Sequence, residues 1–271
     1  MLVSVITPVR NEEENIVGLI NDVNAIFVRL QVNYEHIVVD NNSDDRTAYL
    51  VNCLVESDRN LPVKLIKCES NYGPDFSPYV GFLFAAGDVA IPVAGDYQDP
   101  ISEIEGLLIS YREDSSVELI AGMNVEFGSR VKRMANKCFY FAMKCISGNR
   151  ALRDFQGFGL YSRALIDKIK KHPYRYFYFR GLVLTVVRRD GISLYRYKKQ
   201  ARRSGVSNYS LIKRWRHGVV AINYAFSEIA WIDIVLFFVA AAVAQLFDLN
   251  CLHSTLLIVL IYLMRKVHTV A

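Results

Sequence analysis

The five cysteines, Cys53, Cys68, Cys138, Cys145 and Cys251, form no CxxC pair. An odd count without paired spacing argues against a disulfide framework or a thiolate zinc site and reads as reduced cytosolic thiols. No basic stretch precedes an apolar run at the start, so a cleaved signal peptide is not expected and the N-terminal domain is expected to be cytoplasmic. No GxGxxG opens the first strand-and-helix unit, which leaves a dinucleotide site of that type without support. No internal repeat and no low-complexity tract interrupts the chain. No recognised nucleic-acid module accompanies the basic residues, so nucleic acid is not an expected partner.

What is present is apolar and basic. The hydrophobic share of the 271 residues is 52% and the formal charge is +5. That share is high for a soluble enzyme and points to some surface that meets lipid. The length fits one large domain or a domain with an appendage. The cations cluster late, at Arg130 to Lys137, Arg196 to Arg203 and Lys213 to Arg216. Such clusters suit phosphates or anionic lipid, and equally a solvated face.

In chain order, Leu2 to Thr7 reads as a strand ended by Pro8. Asn11 is placed to cap a helix whose first turn holds Glu12, Glu13 and Glu14, with Ile16, Leu19, Ile20, Val23 and Ile26 at helical spacing. Tyr34 to Val39 and Val63 to Lys67 read as strands. Thr47 to Val55 and Gly73 to Ala86 read as helices, Gly87 and Asp88 ending the second. Val89 to Val93 is a fourth strand, and a helix follows Pro100 with Ser102 as its cap. Val117 to Ala121 is a fifth strand. The alternation predicts an α/β fold, a mostly parallel sheet flanked by helices.

Three loops then fall at one edge of that sheet: Thr7 to Glu12, Asp40 to Thr47 and Ala94 to Pro100. Ligands of open α/β sheets bind past the carboxyl ends of the strands. The last loop, AGDYQDP, is acidic. Such a loop either holds a hard divalent cation against a diphosphate or is a solvated turn. Three acceptor-bearing loops after strands of one sheet favour a nucleotide cleft.

Four stretches in this order resemble a known pattern: SVITPVRNEEENI, IVVDNNSDDRT, NYGPDFSPYVGFLFAAGD and VAGDYQDP. They are similar to the opening strand with its P-x-x-N-E turn, the V-D-D-G-S-x-D-x-T loop, the small-residue helix and the D-A-D-L-Q-D-P metal loop of family 2 glycosyltransferases. FGLYSR at Phe158 to Arg163, RGL at Arg180 to Leu182 and RRSGVSNYS at Arg202 to Ser210 extend the likeness toward the branch that charges polyprenyl phosphates with a sugar. The resemblance covers Val3 to Tyr224. It implies the GT-A (Rossmann-like) fold and an inverting transfer from a nucleotide sugar, a UDP-sugar by preference.

By that resemblance Thr7, Pro8, Glu12, Asp40, Asn42, Asn71 and Gly95 bind the nucleotide. Asp96 and Gln98 hold Mg2+ or Mn2+. Arg130, Arg133, Arg202 and Ser207 meet phosphates. Asp96, Asp154 and Arg202 carry the chemistry. Departures accompany the likeness. Asn41 and Asn42 replace Asp and Gly. Ala94 replaces the first metal-loop aspartate, and Asn208 replaces a lysine. Asp99 is read as a helix N-terminal residue rather than a ligand. Gly157 stands where the branch has a carboxylate, leaving Asp154 as the nameable base. A phosphate monoester is already largely ionised at neutral pH and does without a strong base, whereas a sugar hydroxyl needs one. The aromatic run Tyr174 to Phe179 suits an interface, an acceptor groove or plain core packing.

The expected domains are 1–210 for the catalytic unit, 211–228 for a basic amphipathic helix bearing Trp215, and 229–271 for a membrane hairpin with spans at about 229–247 and 252–264. Lys213 to Arg216 and Arg265-Lys266 flank the pair, which predicts both ends cytoplasmic. Two buried helices of a soluble domain are the alternative for this pair. The expected partners are a nucleotide sugar, a polyprenyl phosphate and the membrane, with a homo-oligomer also implied by the resemblance. A glycan-hydroxyl acceptor and a non-catalytic nucleotide-binding membrane protein are the competing readings.

Overall fold

The computed structural model describes residues 1–125, 155–172 and 179–203. The chain divides into the units Met1–Tyr224 and Ala225–Ala271, and the described residues belong to the first. The expectations for Arg130, Arg133, Asp154, Ser207, Asn208, residues 174–178 and the segments at 211–228, 229–247 and 252–264 lie outside the described residues. Among the described residues, no helix is long and apolar enough to cross a membrane.

The strands are β1 (Leu2–Val9), β2 (Asn33–Asp40), β3 (Val63–Lys67), β4 (Val89–Pro92), β5 (Leu119–Asn124), β6 (Phe155–Ser162) and β7 (Ile192–Tyr197). They form one sheet in the order β3-β2-β1-β4-β6-β5-β7. All neighbours are parallel except β6, which runs antiparallel to both β4 and β5. The helices are α1 (Ile16–Leu30), α2 (Thr47–Ser57), α3 (Phe76–Phe84), α4 (Glu103–Glu113), α5 (Arg163–Lys171) and α6 (Phe179–Val186).

Each face of the sheet carries its own core. One packs Ile16, Leu19, Ile20, Val23 and Phe27 of α1, with Val51 of α2 and Ile104, Leu107 and Leu108 of α4, on Val3, Val5 and Val9. The other packs Tyr79, Val80 and Phe82 of α3 with side chains of α5 and α6 on Ile6, Ile37 and Val39. Burying one such side chain contributes about 1.5–3 kcal/mol, so the five of α1 outweigh its weak helix formers. The small residues of α3 have a packing cause. A Cβ on Gly81 would overlap the Cγ2 methyl of Ile6, so only glycine lets the helix lie this close to β1.

The starts of α1 and α3 differ from the sequence reading, α3 beginning at Phe76 rather than Gly73. Helix α1 begins at Ile16, not after Asn11, and Asn15 holds the cap position. Asn11 instead adopts a left-handed φ of 57° and its side-chain oxygen accepts the Asp44 N–H at 2.8 Å. The glutamates therefore precede the helix in a tight turn, with the Asn15 and Ile16 N–H groups on the Glu12 carbonyl, both at 2.9 Å. Ser102 stands at the N-cap of α4 but accepts no side-chain cap bond; Glu103 and Glu105 answer the helix dipole instead. Strands β6 and β7 are additions to the sequence reading; FQGFGLYS of β6 carries two glycines and lacks period-two alternation.

His36 of β2 is fully buried. Its Nε2 pairs with the Thr7 hydroxyl at 2.8 Å and its Nδ1 has no hydrogen-bond partner. Burial lowers its pKa to about 3. Below the unfolded pKa of about 6.5 the unfolded chain takes up a proton that the native chain refuses, so stability falls with pH from about 6.5 toward 3. Urea unfolding of the wild type between pH 7 and 5 is expected to show a loss about 2 kcal/mol larger than that of His36→Gln. Gly81→Ala is expected to lower stability by roughly 1–3 kcal/mol in the same measurement, through overpacking against Ile6.

Candidate active site

The strand order reverses between β1 and β4, which are adjacent and parallel. A crevice opens outside the carboxyl ends of two strands at such a reversal. The loops after β1 and β4 meet here, and the loop after β2 flanks them.

The β1 and β2 loops are laced together by backbone donors and short polar side chains. The N–H groups of Asn11, Glu12 and Glu13 donate to Ser43 Oγ at 2.9 Å, Thr47 Oγ1 at 2.8 Å and Asp45 Oδ2 at 3.1 Å. Asp40 is buried, and its Oδ1 accepts the Ser43 N–H at 3.1 Å and the Ser43 hydroxyl. Asn42 turns the chain at a left-handed φ of 58°, the conformation asparagine tolerates among non-glycine residues. Asn41 binds the loop after β3. Its Nδ2 donates to Asn71 Oδ1 and to the Gly73 carbonyl, both at 3.0 Å, and its Oδ1 accepts the Tyr72 N–H at 3.0 Å. A carboxylate here would lose both donations, which explains an amide at Asn41.

Gly95 brings the β4 loop against the β1 loop. A Cβ there would lie 2.7 Å from Val9 Cγ1 and 3.3 Å from the Pro8 carbonyl. Asp96 follows, its Oδ1 accepting the Gln98 N–H at 3.1 Å. Tyr97 is held at a left-handed φ of 63°. Its hydroxyl donates to Asp22 at 2.8 Å, and burial, then the Asp22 bond and charge, push its pKa up. The segment after β7 runs along this loop. Gln200 N–H donates to the Gln98 carbonyl at 2.9 Å and Arg203 N–H to the Asp96 carbonyl at 3.3 Å. The Arg203 guanidinium lies 4.8 Å over the Tyr97 ring.

That segment delivers Arg202 to the crevice. Its Nη2 is hydrogen-bonded to Glu12 Oε1, 190 residues away in sequence, and its Nε is 3.8 Å from Asp96 Oδ2. Side-chain exposure is 7% for Glu12, 17% for Asp96 and 21% for Arg202, so water screens the trio little. Burial pushes the Glu12 carboxyl up; the Asn15 hydrogen bond at 2.8 Å and the Arg202 charge oppose this, and the Asp96 charge adds to it.

The structure thus gathers Glu12, Gly95, Asp96 and Arg202 in one crevice and ties Asp40, Asn42 and Asn71 into the loop network beside it. Pro8 is half-buried at the end of β1. Thr7 is fully buried and spends its hydroxyl on His36. Asp99 is not a simple helix N-terminal residue: it is buried and accepts the Tyr197 hydroxyl at 2.9 Å, tying β7 under the loop. Desolvation pushes its pKa up. Gly157 in β6 has a φ of 100°, a conformation that strains any L side chain, and its carbonyl accepts the Tyr161 hydroxyl at 2.7 Å. Arg163, part of the FGLYSR match, is structural. It donates to the Ala85 and Gly87 carbonyls at 3.2 and 3.1 Å, beneath the opposite edge of the sheet. Sequence reasoning passed over Asn41, Ser43 and Thr47 as loop ties; their short polar side chains beside Asp40 were the available signal.

The donor chemistry fits a hard cation only in part-shares. Ala94 offers no side-chain oxygen, and its carbonyl is engaged by the Tyr97 N–H at 3.4 Å. Among the described residues, no group of three His, Cys, Asp or Glu side chains is placed to hold a metal ion. Asp96 is the one carboxylate here that could hold Mg2+ or Mn2+, and it would need phosphates and waters to complete the shell.

Comparison with known proteins agrees with this geometry. The sequence profile described as glycosyl transferase family 2 matches residues 4–170. A bactoprenol glucosyl transferase of Shigella phage SfV is 26% identical over 224 residues, covering 82% of this chain and 71% of that protein. An undecaprenyl-phosphate 4-deoxy-4-formamido-L-arabinose transferase of Aeromonas hydrophila is 37% identical over 109 residues, 40% of this chain and 32% of that protein. Among solved structures, glucosyl-3-phosphoglycerate synthase of Mycobacterium tuberculosis, crystallised with Mn2+, UDP and glucosyl-3-phosphoglycerate, shares the fold. Its TM-score is 0.60 at 18% identity, covering 83% of this chain and 79% of that one. With the profile spanning more than half of its length, the chain belongs to glycosyl transferase family 2 and is a glycosyltransferase.

Proposed function

We propose that the enzyme moves a sugar from a nucleotide sugar, a UDP-sugar by preference, to undecaprenyl or a related polyprenyl phosphate, inverting the anomeric linkage. The reaction would take place at the cytoplasmic membrane face and serve cell-surface glycan synthesis or modification. The observation that carries the donor half is the Glu12–Arg202–Asp96 cluster at the reversal of strand order. A guanidinium there is set to receive the negative charge that develops on a leaving diphosphate. Asp40, buried and held by Ser43, retains a carboxylate oxygen suited to a base N–H or a ribose hydroxyl. A divalent cation at Asp96 and Gln98, when bound, supplies Lewis-acid neutralisation of the same diphosphate.

The acceptor half is supported by chemistry and by relatives. Gly157 sits in a backbone conformation hostile to a side-chain base. A phosphate monoester, with a second pKa of about 6, attacks without one. Two of the relatives are named as a bactoprenol and an undecaprenyl-phosphate transferase, which supports a lipid-phosphate acceptor.

The test is transfer of radiolabel from a panel of UDP- and GDP-sugars to undecaprenyl phosphate, with Mg2+ or Mn2+ and the protein in detergent. Label is expected in the organic phase and is expected to fall about 100-fold or more in Asp96→Ala. Transfer to a glycan hydroxyl instead, or none while nucleotide binding persists, would overturn the lipid-phosphate reading. In the same assay kcat/KM is expected to decline below about pH 6, as the acceptor monoester takes up its second proton.

A further inference from the structure

We infer that Asp22, Tyr97 and Arg203 form a lock that positions Asp96 and Arg202 for the reaction. The inference rests on the donor reading above and deepens it by naming what holds the two acting side chains together. Tyr97 follows Asp96 in sequence, and Arg203 follows Arg202. Asp22 lies on α1, 75 residues before Tyr97, and accepts its hydroxyl at 2.8 Å. The Arg203 guanidinium lies 4.8 Å over the Tyr97 ring and 4.0 Å from the Asp22 carboxylate. Helix α1 leaves a place for the hydroxyl: a Cβ on Gly18, one turn before Asp22, would lie 3.0 Å from it. Among these contacts the hydroxyl bond carries most. Tyr97 is buried, whereas the Asp22 and Arg203 side chains are 54% and 64% exposed, so water and salt screen their ion pair.

The lock works against strain. A φ of 63° at Tyr97 is an outlier for a bulky residue and persists only where the surroundings over-determine it. Released, Tyr97 would relax toward negative φ and turn the Asp96–Tyr97 peptide with it. The Asp96 carbonyl accepts the Arg203 N–H at 3.3 Å, and the Gln98 carbonyl accepts the Gln200 N–H at 2.9 Å. Both bonds tie the 198–203 segment to this loop, so a turn of the loop displaces Asp96 and Arg202 together. Tyr97 stands where the pattern D-A-D-L-Q-D-P has leucine, which carries no hydroxyl, so the lock belongs to this chain's own residues.

The test pairs amide hydrogen exchange with turnover on the full-length protein in detergent. Tyr97→Phe and Asp22→Ala each remove the hydroxyl bond and leave Asp96 and Arg202 unaltered. Both are expected to speed exchange of the Gln200 and Arg203 amides about tenfold. Both are expected to lower kcat for sugar transfer about tenfold while the Kd for UDP stays within about threefold of wild type, because small misplacements are felt most in the transition state. The double variant is expected to lose no more than either single one, since all three remove the same bond. Asp22→Asn, whose side-chain carbonyl still accepts the hydroxyl, is expected to recover most of the exchange protection and most of kcat. Unchanged exchange in both single variants, faster exchange with unchanged kcat, or losses that multiply in the double variant overturn the inference. Asp96→Ala with wild-type transfer overturns the donor reading and the inference with it. An inactive Asp96→Ala beside lock variants of wild-type kcat overturns the inference alone.

Discussion

Two carboxylates at the ends of adjacent parallel strands require a countercharge, and much of this site follows from meeting that need. Glu12 and Asp96 sit after β1 and β4, where the strand order reverses. Left alone, two half-desolvated acids would repel and one would protonate. The rise in the Glu12 pKa from burial and from Asp96 shows that tension. Arg202 relieves it, but comes from the far side of the sequence, which makes the whole second half of the fold a support for one guanidinium. Strand β7 must pair with β5 to bring the segment 198–203 across the metal loop. Asp99 must stay buried against Tyr197 to hold that strand's end under the loop.

The same economy governs the loops. Several polar groups of the β1 and β2 loops are spent across the loops rather than on local structure. Asn11, Ser43, Asp45 and Thr47 all bind across from one loop to the other. The consequence is a delayed α1 and a rigid rim on which Asp40 is presented. Strain concentrates at the same rim: Asn11, Asn42 and Tyr97 are left-handed without being glycine. At Asn11 and Asn42 the residue type tolerates this. Tyr97 does not, and is held there by Asp22 below and Arg203 above.

The parallel half of the sheet was legible because β1 to β4 are short apolar runs separated by amphipathic helices, a pattern that burial on two faces imposes. The positions of the three loops followed from it, and with them Glu12, Asp40 and Asp96. What escaped depended on contacts at long range. Helix α1 starts late because Asn11 is claimed by a residue 33 positions away. Strand β6 is antiparallel and glycine-bearing, so its local sequence does not announce it. Nothing near Arg202 in sequence tells that it faces Glu12, and nothing near Thr7 tells that His36 will take its hydroxyl. Arg163 was legible as a matched position, but its work, carrying two carbonyls at the opposite edge, was not.

The departures from the family pattern become coherent once charge is counted around the crevice. Ala94 and Asn41 each stand where the family pattern has an acid, Ala94 in the loop of Asp96 and Asn41 beside Asp40. A second aspartate at position 94 would add a carboxylate ligand to the loop of Asp96. With an acid at position 41, the two donations that tie Asn71 and Gly73 would be lost and a third carboxylate would stand next to Asp40. At the crevice itself Glu12 and Asp96 face one guanidinium, so the trio keeps a net negative charge, while further oxygens for a cation are left to be supplied from outside. A nucleotide diphosphate brings those oxygens and offers Arg202 a further anion to bind.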